Sequence, residues 1–397
     1  MIRPAAFILL MAAWGTAGLP WLFDLAAGIA VALVCRRVSK TDLIVLVAAT
    51  LLSLFFLETA VRWWPTQPVV HYREHEKFLE GGRYRAEVDE YVDVLHGDLL
   101  ALDNLAPATL KEPRRIRFKT DRQGYRNDHE YQGREIILVG DSVIVANGSD
   151  QAFTPANILE GEHGLPAYTL SLAGDPADYC RRLNNFLPRL APEARAIMFL
   201  FEGNDFRAKG RTPDVPSGYD RFKVAYLRLI NLKYPRLLFN ATRRLGWNLN
   251  RDTVQPVVVH RLAGREVGFY GSYIDRAVAE APELKLKDGD CPPPVLARLL
   301  AVVFIPTKYR VYAGHIRGDQ GWNLPEPAPG YLAAKRYFER FRLPVHDLTP
   351  ALRQRADDLL PQGRLVYWRD DTHLNPAGLE VLAAQTARIV RGEQAER

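Results

Sequence analysis

Ile136-Ile137-Leu138-Val139-Gly140-Asp141-Ser142 is the stretch that decides the fold. Four apolar residues closed by Gly-Asp read as a short strand buried on both faces, with Ser142 just past its end. The same rhythm recurs at Ala167–Leu172, Ala196–Phe201, Ala301–Ile305 and Pro344–Asp347. Helical patterns lie between or after these runs, including Ala177–Leu190, Tyr331–Arg342 and Pro376–Val390. Short buried strands alternating with helices predict a parallel sheet covered on both faces, an α/β fold. Ligand sites in such sheets lie beyond the carboxyl ends of the strands. Ser142 is therefore a candidate nucleophile, expected at the start of a helix whose N-terminus favours developing negative charge. The bland alternative is a serine that only caps that helix.

Three further motifs follow in order. Gly174 closes Leu170-Ser171-Leu172-Ala173-Gly174, Gly203-Asn204-Asp205 follows Ile197-Met198-Phe199-Leu200-Phe201, and Asp370-Asp371-Thr372-His373 lies near the C-terminus. Together they supply a serine, a histidine, carboxylates and oxyanion donors, the groups needed for acyl transfer through a covalent intermediate. A short turn from Asp370 to His373 would let a carboxylate hold one ring nitrogen while the other deprotonates Ser142. Asp371 is the other acid in reach, and with Asn375 it also suits the cap of a helix starting near Pro376. There is no Gly-x-Ser-x-Gly elbow, since Ile144 stands two residues after Ser142, which argues against the α/β-hydrolase fold.

Ser142, Gly174, Asn204 and His373, in this order, resemble the blocks of the SGNH (GDSL-like) hydrolase family, in its membrane-anchored bacterial form. The resemblance covers about residues 136–390 apart from an insertion. It implies a flavodoxin-like three-layer α/β/α fold with a parallel sheet. It implies Ser142 as nucleophile and His373 as base. It implies an oxyanion hole of the Ser142 and Gly174 backbone N–H groups with the Asn204 amide. The family's acid stands three residues before the histidine, which selects Asp370 and leaves Asp371 as the fallback. Asp205 is expected to support its loop. The chain departs from the family at Val143, where many members carry leucine or a larger residue, and in the length of the insertion. Phe304-Ile305-Pro306-Thr307-Lys308 also resembles a strand-end segment of such proteins, with Lys308 expected in a surface salt bridge or at an anionic substrate. Alginate-type acetyltransferases place their Asp-x-His element before the serine. Here the acid-histidine element comes after, as in ordinary SGNH hydrolases, which favours hydrolysis.

The first sixty residues point to a membrane. Ala5 to Val34 is nearly all apolar, broken by Gly18-Leu19-Pro20 and Asp24, and a second apolar stretch runs from Leu43 to Leu57. These lengths approach or exceed the ~20 residues of a spanning helix. They predict N-terminal transmembrane helices, with a kink or hairpin near Pro20. Trp63 and Trp64 would form an interfacial belt, and Arg36, Arg37 and Lys40 place the intervening loop in the cytoplasm. The remainder is then extracytoplasmic, periplasmic in a Gram-negative cell. The expected organisation is an anchor over 1–64, a stalk and lead-in over 65–113, and the catalytic domain over 114–397. Within that domain Arg115–Thr120 reads as a strand, and an insertion interrupts it at about 206–294. The first half of the insertion, 221–247, is basic and amphipathic, suited to a lid or a membrane surface. Its second half, Val257–Val259 and Arg265–Tyr270, reads as two strands around Ala263-Gly264.

The net charge is +6, but both signs are mixed and no basic-aromatic run suggests nucleic acid. None of the three cysteines has metal-ligand spacing and the remaining histidines form no ligand pattern, so neither metal nor cofactor is expected. Cys180 and Cys291 would pair in an exported domain or remain two buried thiols. The expectation is a membrane-anchored, extracytoplasmic serine esterase or O-acyltransferase acting on acyl, chiefly acetyl, esters of envelope or exopolysaccharide. A membrane partner is the potential acyl donor. A lipid esterase and a non-catalytic scaffold of an export complex are the rival readings.

Overall fold

The structure, a computed structural model of the chain, describes residues 78–80, 82–102, 106–207, 257–316 and 324–393, with Ser39, Thr41 and Val45. The chain divides into two units, one of His71–Thr212 with Pro256–Arg397 and one of Met1–Val70 with Pro213–Gln255. The fold described below is that of the first. Apart from Val45, both apolar stretches of the N-terminus lie outside the described residues, as do Cys35 and the basic half of the insertion. Among the described residues no helix is long and apolar enough to cross a membrane.

Two hairpins open the unit. β1 (Leu79–Glu80) pairs with β2 (Arg83–Tyr84), and β3 (Asp89–Val94) pairs with β4 (Arg114–Lys119), all antiparallel. The central sheet begins with β5 (Ile136–Val139), β6 (Ala167–Thr169) and β7 (Ala196–Phe201). β8 (Phe206–Arg207) then leads out to a hairpin of β9 (Val257–Leu262) and β10 (Arg265–Tyr270), and β11 (Glu283–Leu284) returns to pair antiparallel with β8. β12 (Leu299–Ile305) and β13 (Val345–Asp347) complete the sheet, whose order is β13-β12-β7-β5-β6 with every neighbour parallel.

The strands are apolar on both sides because both sides are covered. Ile137, Val139, Ala196, Met198, Leu200, Val302 and Phe304 pack into one core, and the intervening Leu138, Ile197, Phe199, Phe201, Val303 and Ile305 into another. This is the two-residue period of a strand read out on two faces. The helices are α1 (Asp98–Leu102), α2 (Pro155–His163), α3 (Pro176–Phe186), α4 (Gly271–Val278), α5 (Pro293–Leu296), α6 (Lys308–Tyr312), α7 (Pro329–Glu339), α8 (Thr349–Leu359) and α9 (Pro376–Arg391). Residues of α3, α5 and α7 belong to the first core, and those of α2, α6, α8 and α9 to the second. The three-layer α/β/α arrangement expected from the sequence is therefore present.

Local chemistry fixes the helix ends. Thr154 caps α2 ahead of Pro155, and Asp175 and Asp178 form a reciprocal capping box around Pro176 at the start of α3. Asn375 accepts from the Gly378 N–H at the start of α9. Cys180 of α3 is joined to Cys291 in a disulfide with Cα atoms 5.1 Å apart. That bond settles the pairing left open above.

One expectation fails. No helix begins at Ser142; residues 141–149 form successive turns, with Ala146 at φ +58°. The buried Arg126 explains why. Its guanidinium donates to the carbonyls of Val145 (3.0 Å), Ala146 (2.8 Å) and Ser149 (2.7 Å), acceptors a continuing helix would need for itself. The sheet-end placement of Ser142 survives, but not the helix dipole assigned to it.

Candidate active site

β5 and β6 run from the centre of the sheet towards one edge, while β7 lies on the other side of β5. The chain thus reverses direction between β5 and β7, and the crevice at such a switch point is where open α/β sheets hold their ligands. Ser142 follows β5 and Asn204 follows β7, so both stand at that crevice. Gly174 follows β6 by way of the Leu170–Ala173 turn and immediately precedes the α3 cap.

Ser142 and His373 meet directly. Ser142 Oγ lies 2.8 Å from His373 Nε2, and His373 Nδ1 lies 2.6 Å from Asp371 Oδ1. With Nδ1 protonated and donating to Asp371, Nε2 is left to accept the serine proton. All three residues are buried.

The carboxylate on His373 is therefore Asp371 and not Asp370. Asp371 Oδ1 accepts both the His373 backbone N–H (3.1 Å) and Nδ1, a local Asx turn that sets the ring two residues on. Asp370 faces away and is fully buried. It accepts from the Gly97 N–H (2.7 Å), the Glu112 N–H (2.9 Å) and Arg114 Nη1 (3.2 Å). Arg114 also reaches Asp371 through Nη2 at 3.2 Å, and its guanidinium stacks over Trp368 at 4.2 Å.

Part of the segment read as a stalk thus builds this loop. The Asp98 N–H donates to Asp371 Oδ2 (3.2 Å), and the Leu99 N–H to the Asp370 carbonyl (3.2 Å). Asp98 accepts from the Thr372 N–H (2.8 Å) and hydroxyl (2.5 Å). The Glu112 carboxylate accepts from the Arg369 N–H. Sequence reasoning missed Asp98, Glu112 and Arg114, because they lie more than 250 residues from their partners and no local pattern marks them.

Lys308 is neither exposed nor salt-bridged at the surface. It is buried, and Nζ donates to the carbonyls of Trp368 (2.8 Å) and Arg369 (3.4 Å), just before the acid-histidine loop. Burial pushes its ammonium down to about 8, although Asp371, Asp98, Asp370 and Glu112 oppose the shift.

The oxyanion candidates are braced together. Asn204 Nδ2 donates to Asp141 Oδ2 at 2.8 Å, leaving a second amide N–H. Asp141 is fixed by the Val143 N–H (2.9 Å). Asp205, the expected loop support, accepts from the Phe201 N–H (2.7 Å) and the Tyr179 hydroxyl (2.9 Å). The same hydroxyl lies 3.3 Å from the Gly174 carbonyl. Arg182 donates to the carbonyls of Gly140 and Leu172, tying the ends of β5 and β6. Burial raises the Asp141 carboxyl, and burial together with the Asp141 charge raises Asp205 well above the usual range.

Asp98, Asp371 and His373 each bring one oxygen or nitrogen within 4.8 Å of the others. Their polar atoms face N–H and O–H donors of Thr372, Arg114 and the imidazole, so the trio is arranged as hydrogen-bond partners. Behind it, Glu202 and Arg310 form a buried pair at 2.7 Å, and Arg310 also donates to the α4 carbonyl of Ala277. That pair ties the insertion to the strand end carrying Asn204.

Residues 297–397, about a quarter of the chain, match the family model described as SGNH hydrolase-like domain, acetyltransferase AlgX. The matched stretch contains Lys308, Asp370, Asp371 and His373; Ser142, Gly174 and Asn204 precede it. No curated protein matches the chain.

Proposed function

We propose that this chain, SGNH hydrolase-like in its C-terminal part, is a serine esterase or O-acyltransferase that works through an acyl-serine intermediate. The observation that carries the proposal is the relay of Ser142 Oγ, His373 and Asp371, with contacts of 2.8 and 2.6 Å. Ser142 Oγ attacks the ester carbonyl while Nε2 takes its proton. Asp371 holds the tautomer and stabilises the imidazolium. The oxyanion is met by the free N–H of Asn204 and the backbone N–H groups of Ser142 and Gly174. His373 returns its proton to the leaving alcohol, then deprotonates water or a sugar hydroxyl that takes the acyl group.

Two considerations bear on the acceptor. The acid-histidine element follows the serine, the order of hydrolases of the family, while the description of the matching family names an acetyltransferase. The reading of an acetylated envelope or exopolysaccharide substrate, with a membrane acyl donor, rests on that description and on the apolar N-terminal stretches. Those stretches also support a membrane anchor. The Cys180–Cys291 disulfide supports an oxidising, extracytoplasmic compartment.

The test is acetyl-ester turnover by the detergent-purified chain and its Ser142→Ala variant, with and without oligosaccharide, products weighed by mass spectrometry. Serine-dependent acetate release alone identifies an esterase, and acetylated oligosaccharide a transferase. Equal turnover by the Ser142→Ala protein sinks the mechanism.

A further inference from the structure

Asp98 is buried at the first position of α1, and its carboxylate grips the residue between acid and base. Oδ1 accepts from the Thr372 N–H at 2.8 Å and Oδ2 from the Thr372 hydroxyl at 2.5 Å, while the backbone N–H of Asp98 donates to Asp371. Asp98 Oδ2 also lies 3.6 Å from His373 Nδ1, the atom that Asp371 holds at 2.6 Å.

We propose that Asp98 is a second carboxylate for His373, positioning the imidazole through Thr372 and standing in as the acceptor of Nδ1–H when Asp371 is removed. The proposal rests on the serine-hydrolase reading above. An asparagine could accept from one Thr372 donor through its single oxygen while its amide N–H donates to the Thr372 hydroxyl, so the Thr372 contacts alone do not call for a charge. A second buried anion beside Asp371 carries a like-charge cost, which makes sense where a cation forms between the two. The imidazolium of the acylation step is that cation. Closing the gap from Oδ2 to Nδ1 to hydrogen-bond range needs a movement of about 1 Å. The other charged groups interacting with this cluster are Arg114, paired with Asp371 and Asp370, Lys308, which feels the charges of all three aspartates and of Glu112, and Asp141, which feels that of His373. Tyr270 also feels the charge of Asp98.

The experiment is the pH dependence of Ser142 labelling by an alkyl fluorophosphonate, on the full chain in detergent. In that reaction Oγ attacks phosphorus, fluoride leaves, and His373 takes the proton. Asp98→Asn should move the acid limb about one unit towards lower pH, and Asp98→Glu should restore it, a response that loss of a structural staple alone would not give. Asp371→Asn should label about 100-fold more slowly than the parent, yet at least about tenfold faster than His373→Ala. The double variant Asp98→Asn/Asp371→Asn should fall to the His373→Ala rate. An unmoved acid limb in folded Asp98→Asn overturns the proposal. So does Asp371→Asn labelling no faster than His373→Ala, a comparison that stands even if Asp98→Asn fails to fold. Labelling of the parent no faster than of Ser142→Ala would overturn the serine-hydrolase reading itself, and this inference with it.

Discussion

Asp371 Oδ1 receives His373 twice, at Nδ1 and at the backbone N–H, whereas Asp370, one residue earlier, turns its carboxylate to Gly97, Glu112 and Arg114. The two adjacent acids therefore have separable effects. Asp371→Asn should lower kcat by roughly 10²–10⁴, the upper end being the loss seen when a triad acid is neutralised. Asp370→Asn should keep kcat within about tenfold but lower stability by about 3 kcal/mol, since it weakens a buried ion pair. Steady-state kinetics and thermal melting of the two variants check this, and the reverse pattern would restore Asp370 as the acid.

Gly97 sits where the lead-in crosses this loop. A Cβ there would lie 2.2 Å from the Asp370 carbonyl oxygen and 2.6 Å from the Asp371 Cβ. Gly97→Ala must displace the acid-histidine loop, and a shift of about 1 Å costs on the order of 100-fold in rate. Activity and fluorophosphonate labelling should fall together in that variant. Wild-type rates would show that the lead-in does not press on the loop.

Asn204→Ala removes an oxyanion donor and should cost about 2.7–4 kcal/mol of transition-state stabilisation, seen in kcat more than in KM. Asp141→Ala should give a smaller loss of the same kind, because the Asn204 amide is then held only by its own loop. A change confined to KM in both variants would place Asn204 outside the oxyanion hole.

Lys308 ties pH to stability. Its ammonium is held down to about 8 in the fold against 10.5 unfolded, so between these values the unfolded chain carries a proton that the folded chain lacks. The contribution of Lys308 to stability is complete above about 10.5 and is lost as pH falls through about 8, a span of about 3 kcal/mol. Lys308→Met should flatten the rise in melting temperature between pH 7.5 and 10 relative to the parent. Parallel curves for the two proteins would contradict the burial of a charged Lys308.

The Cys180–Cys291 disulfide spans 111 residues and anchors α3, the helix whose Tyr179 holds Asp205 and the Gly174 carbonyl. Replacing both cysteines by serine should lower stability by about 2–5 kcal/mol. Melting curves with and without reductant, for the parent and the double variant, measure it. Insensitivity of the parent to reductant would mean the thiols are unpaired.

The sequence by itself determined the layers and the ends of the sheet. Short apolar runs such as Ile136–Val139 and Ala196–Phe201, closed by turn residues and alternating with helical patterns, read as strands covered on both faces, and the residues that follow such a strand stand at its carboxyl end. Ser142, Gly174 and Asn204 were legible for that reason, and so was the hairpin around Ala263-Gly264. What surrounds them was decided by contacts between residues far apart in the chain. Asp370 and Asp371 are neighbours with the same side chain, and no local rule separates them. The choice is made by Gly97, Glu112 and Arg114, which collect Asp370, and by an Asx turn that leaves Asp371 for the histidine. Likewise the turn at Ser142 carries helix-compatible spacing, but Arg126 takes the carbonyls that a helix would have used. Hydrogen bonds of long sequence separation carry no periodic signature, so only the tertiary structure could assign them.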